Sequence, residues 1–174
     1  MNVDGLSIDG TQIVGMAGLA FATFSCAQRS RFKTARTDAA HWRILAVITA
    51  LLVMEIVVGW RYRVHDLADM LLLNQSVYEA RRPWQVAMTV VALTALIASV
   101  SVARSRIQSA ALASAVMGVC FAVSVFVIEA ISLHAVDAVL YHPLGPVKVI
   151  ALFWLAASAW ISLAAFKSPR GAAR

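Results

Sequence analysis

The sequence predicts an all-α membrane protein: one bundle of five transmembrane helices, with the N-terminus outside and the C-terminus in the cytoplasm. Three observations carry that expectation. The first is composition: 61% of the 174 residues are hydrophobic and 14% are charged. Soluble domains run to about 45–50% apolar and about 25% charged residues. A chain of this size cannot hide so much apolar surface in one soluble core, whereas a bilayer can be its solvent. The second is run length, since five stretches stay apolar for about the distance needed to cross a hydrocarbon layer of about 30 Å. The third is where the positive charge falls. A mean hydropathy of +0.78 excludes a disordered chain. The net charge of +6 lies between apolar runs rather than in a basic patch, so no nucleic-acid partner is expected.

The spans are read as residues 11–27, 44–60, 84–103, 108–133 and 147–166, within a single integral membrane domain covering 1–174. They are continuous apolar runs without alternation, so they are helices, which satisfy their own backbone groups in lipid. The first is short and carries Gln12, Thr23 and Ser25; only Glu55, Glu129 and Lys148 bring charge into any span. The residues before it hold Asp4 and Asp9 but no Lys or Arg, so it does not read as a cleaved signal.

Ten of the fifteen lysines and arginines fall on one side of this threading. They are Arg29, Arg31, Lys33, Arg36 and Arg43, then Arg104 and Arg106, then Lys167, Arg170 and Arg174. Positive charge favours the cytoplasm, which sets the orientation. Trp42 is expected at the inner rim of the second span, Trp60 and Tyr62 at its outer rim, and Trp84 at the outer start of the third. Pro83 stands just before Trp84, where a missing N–H costs a helix nothing. Between spans two and three, residues 63–73 have apolar side chains at helical spacing, which predicts an amphipathic helix on the outer surface. The plainer alternative is a continuation of span two. Cys26 and Cys120 fall at different depths, so no disulfide is expected.

Span four carries Ala110, Ser114, Gly118 and Ala122 at every fourth position, with a partial match in Gly18, Ala22 and Cys26 of span one. Small residues four apart let a second backbone approach. The plainer reading is packing within the bundle; the sharper one is a face for a membrane-protein partner or a second copy.

The threading gathers the chemically capable residues at the outer mouth. Candidates for binding a ligand or proton are Glu55, Arg61, His65, Asp66, Glu129, His134, Asp137 and Tyr141. An acid near mid-bilayer costs about 2.5–3.5 kcal/mol and somewhat less near the rim, so Glu55, about 8 Å below the outer boundary, asks for a reason. It is either a functional carboxylate or one paired with Arg61 or Arg63 to lock helices. The stretch 129–141, read as continuing helix, would put His134, Asp137 and Tyr141 on one stripe. A carboxylate-oriented imidazole with Glu129 would make a mixed metal site of Glu129, His134 and Asp137, though an interfacial hydrogen-bonded pair is the plainer reading. Arg81, Arg82 and Trp84 suit a lipid headgroup or an ordinary interfacial anchor.

No zinc-hydrolase spacing, nucleophile elbow, phosphate loop or broken mid-span helix is present in the sequence, and no cofactor is required by it. The expected function is a non-catalytic accessory, assembly or ligand-binding subunit in the lipid bilayer of a bacterial inner membrane, with a polar pocket open to the periplasm. A proton- or cation-coupled carrier using Glu55 comes second. An intramembrane redox or metal enzyme using Glu55, Glu129, His134 and Asp137 comes third.

Overall fold

The computed structural model describes residues 9–32, 36–60, 63, 81–107, 109–131 and 134–168. Among the described residues, five helices are long and apolar enough to cross a membrane. They are α1 (Gly10–Arg31), α2 (Arg36–Val58), α3 (Arg81–Arg106), α4 (Ala110–Ile131) and α6 (Val149–Lys167). Between α4 and α6 lie a short helix, α5 (His134–Leu140), and a two-stranded antiparallel ribbon, β1 (Pro143–Leu144) with β2 (Val147–Lys148). The protein is an all-α, multi-pass helical bundle.

Local chemistry sets the helix ends. Asp9 Oδ1 accepts the Gln12 N–H at 2.8 Å while Gln12 Oε1 accepts the Asp9 N–H at 3.0 Å, a reciprocal capping box that starts α1. Gln12, a polar residue of the expected first span, thus helps to fix the helix start. Helix α2 stops because Gly59 adopts a left-handed φ of 65° and its N–H turns back to the Glu55 carbonyl at 2.8 Å. Ser109 opens α4 by accepting the Leu112 N–H on Oγ at 3.3 Å and the Ala113 N–H on its carbonyl at 2.9 Å. Gly145, with φ 64°, makes the tight turn of the ribbon.

α1 packs against α2 and α6, and α4 packs against α6 and α2, so these four helices close a ring; α3 packs on α4 from outside. The ribbon marks one end of the bundle, called here the hairpin end. The other, where α1, α3 and α6 finish, is the basic end. The core has two halves. Toward the basic end Cys26, Trp42, Leu112, Ala115 and Ile161 come together. Toward the hairpin end Leu19, Ile56, Phe126 and Trp154 do so, with the Phe126 and Trp154 rings stacked 5.5 Å apart. Gly15 lies so close under Trp154 that any Cβ would overlap its indole.

The structure refines two expectations. α2 begins eight residues before the expected span, at Arg36, and Trp42 is fully buried in the core. Of the Ala110, Ser114, Gly118, Ala122 face, Ser114 and Gly118 pack within the bundle against α6, the plainer of the two readings, while Ala110 stays exposed. A Cβ on Gly118 would stand 2.8 Å from Ile161 Cγ1, and the Trp160 indole N–H donates to Ser114 Oγ at 3.0 Å. Gly18 likewise faces Ser158 and Leu155 of α6. A hydroxyl pair, Thr23 to Thr49 at 2.9 Å, ties α1 to α2, and both cysteines are free thiols.

Candidate functional site

The polar residues of the hairpin end are positioned by α5, which lies back against the end of α4. Among the described residues α4 runs to Ile131 and α5 from His134. The stretch 129–141 is not the single straight helix expected from the sequence, because twelve residues of such a helix, about 18 Å, would hold Tyr141 out of reach of Glu129. α5 carries the chain back over the bundle end, and Tyr141 follows it, its N–H bonded to the Asp137 carbonyl at 2.9 Å. Tyr141 Oη then donates to Glu129 Oε1 at 2.6 Å. Glu129 is buried in the last turns of α4 and Tyr141 is half-buried. A short bond of this kind is what a phenol makes to a strong carboxyl acceptor.

From Tyr141 the polar path continues outward. The Lys148 ammonium lies 5.5 Å from the centre of the Tyr141 ring, a cation–π approach, and 3.3 Å from Asp9 Oδ2. The Lys148 backbone N–H also donates to Thr11 Oγ1 at 3.0 Å, so the ribbon is held to the start of α1 at two points. Partial burial pushes the Asp9 carboxyl up. The Gln12 and Thr11 amides and the Lys148 ammonium outweigh that and hold it below its ordinary value of 3.8. Glu129, Tyr141, Lys148 and Asp9 thus form one chain of polar contacts, from a buried carboxyl to an exposed helix cap.

The remaining predicted residues are placed as follows. Glu55 is half-buried on α2, in its last turn, where its carbonyl receives Gly59. Asp137 is half-buried on α5. Arg63, offered as a partner for Glu55, has its guanidinium 5.7 Å over the Trp60 ring. Arg61, His65 and Asp66 lie outside the described residues, as does all of 63–73 except Arg63 and as do the side chains of Arg81, Arg82, Trp84 and His134. Among the described residues, Glu129 and Tyr141 are the predicted pair that meets, and no three His, Cys, Asp or Glu side chains converge as a metal ion requires.

Sequence reasoning missed the Lys148–Asp9 tie and the burial of Arg29. The first had a signal in Asp9 followed three residues later by Gln12, the spacing of a capping box. The second had none: Arg29 reads as one more topogenic charge, yet it is only 4% exposed.

In chemical terms the hairpin end offers a carboxyl locked to a phenol under a lysine lid, an arrangement that fixes helix ends. The chain matches no family model, no curated protein and no solved structure.

Proposed function

We propose that this chain is a non-catalytic subunit of a larger assembly in a bacterial inner membrane, with its hairpin end in the periplasm. In this reading α3 is the helix it presents to a transmembrane helix of a partner protein. The observation that carries the reading is the position of α3. No residue from Gln85 to Val102 is buried, whereas each of the other four spanning helices buries part of its length. A helix apolar all round is suited to lipid or to enclosure by neighbouring helices, and among the described residues this one packs on α4.

An open groove of about 590 Å³ runs beside it, between α2, α3 and α4. Ala98 and Ser99 of α3 line the groove, which suits the close approach of another helix, and His41 of α2 supplies a polar group at its edge. The Glu129–Tyr141 bond supports a structural use of Glu129.

The test is photo-crosslinking in native membranes. A photoreactive residue replacing Val102, which lines the groove, should give one discrete protein adduct, and the same residue replacing exposed Ile97 should not. Ala98→Leu, which fills the groove, should abolish the Val102 adduct. Adducts to lipid alone at both positions would overturn the proposal.

A further inference from the structure

The basic end carries a second polar construction that the proposed function does not use. We infer that it is a binding pocket for a phosphate group, formed between α1, α4 and α6. An open cavity of about 590 Å³ lies there, with Arg29, Lys167, Ser109 and Ser168 in its walls.

Each wall presents donors. Arg29 comes from the last turn of α1; it is 4% exposed, yet it lines the cavity, and its guanidinium stands 5.9 Å from the Phe32 ring centre. A guanidinium offers a rigid fork of N–H groups matched to phosphate oxygens. Lys167, in the last turn of α6, adds an exposed ammonium from the facing wall.

The third wall is the start of α4. Ser109 already satisfies the amides of Leu112 and Ala113. The first two residues of the helix, Ala110 and Ala111, line the cavity, and their amides have no acceptor within their own helix. First-turn amides and the helix dipole favour an anion there. The Ser109 and Ser168 hydroxyls add two more donors.

Among the described residues of the lining, Asp38 is the one acid, against two cations. The positive balance fits an anion, and a cavity much larger than one phosphate leaves room for what the phosphate is attached to. Arg29, Lys167 and the start of α4 all stand at helix ends, the level of lipid headgroups. The shared chemistry is a phosphate ester or free phosphate. The two sources are an anionic phospholipid of the leaflet at this end and inorganic phosphate from solution.

The full chain, purified in detergent, is mixed with equal amounts of phosphatidylglycerol and phosphatidylcholine and examined by native mass spectrometry, with and without added inorganic phosphate. The expected result is preferential retention of one phosphatidylglycerol. Arg29→Gln should lower that retention at least about tenfold, the scale of a hydrogen bond to a charged group. Lys167→Gln, at an exposed position, should lower it about two- to fivefold. Arg104→Gln, an exposed charge at the same end but outside the cavity, should change nothing.

Retention that survives excess inorganic phosphate assigns the pocket to lipid; displacement by phosphate, with matching thermal stabilisation by phosphate alone, assigns it to the free ion. If Arg29→Gln does not fold, Lys167→Gln decides. The inference is overturned if neither probe binds, if Lys167→Gln retains lipid like the parent chain, or if Arg104→Gln weakens retention as much as Lys167→Gln.

Discussion

Tyr141 and Glu129, twelve residues apart in the chain, meet in a 2.6 Å hydrogen bond at the hairpin end. The bond links the end of α4 to the residue that follows α5, so it holds the returning chain against the helix it has just left. It also gives a buried carboxyl a donor where water is scarce, and burying such a group without one is costly. Tyr141→Phe keeps the ring and its contact with Lys148 but deletes the donor. It should destabilise the protein by about 1–3 kcal/mol. Thermal unfolding in detergent checks this, and an unchanged midpoint would remove the lock from the account of the site.

Gly15 should tolerate no side chain. Gly15→Val would drive the Trp154 indole out of its stack on Phe126. Overpacking of this kind costs about 1–3 kcal/mol. The accompanying readout is tryptophan fluorescence, which should report the displaced indole; a spectrum and stability like the parent's would contradict the packing described.

Asp9 gives the fold a pH-dependent tie. Its carboxyl titrates below 3.8 in the folded chain, so the stability it contributes is fully present above about pH 3.8 and is lost as the pH falls through the lowered value. Asp9→Asn keeps a good cap but removes the charge paired with Lys148. It should flatten the acid side of the stability profile while leaving the slope near neutrality alone. Asp9→Ala should also lose the cap, worth about 1 kcal/mol. Unfolding midpoints measured between pH 3 and 7 for the three chains make the comparison.

The orientation has its own test. Leu144→Cys on the ribbon and Arg104→Cys at the opposite end are both exposed positions. In intact cells an impermeant thiol reagent should label the first and spare the second, and labelling of the second alone would invert the topology. Cys26 is buried and Cys120 half-buried within spanning helices, so the background should be low.

Five crossings were legible because an uninterrupted apolar run has one outcome in lipid. Helix ends were less so, because hydropathy is blind to polar turns that continue a helix. Arg36–Arg43 reads as loop yet belongs to α2, and that extension carries Trp42 into the core. Which helices touch was legible only in part. The small residues Ser114 and Gly118 announced a close approach, but nothing in their spacing names α6 as the neighbour. At the hairpin end, Glu129 and Tyr141 were both singled out from residue type and depth. Their contact was not foreseeable, because it depends on α5 lying back against the end of α4, whereas one straight helix was assumed.

Trp154 closing over Gly15 joins the first described helix to the last one. Synthesis makes these partners far apart in time: α1 must wait in the insertion machinery or the lipid until α6 has left the ribosome. A chain interrupted before residue 149 would leave the cleft at Gly15 and the inner flank of α4 without their partner. Such a fragment would lack the contacts of α6 with α1 and α4, and with them the closed ring.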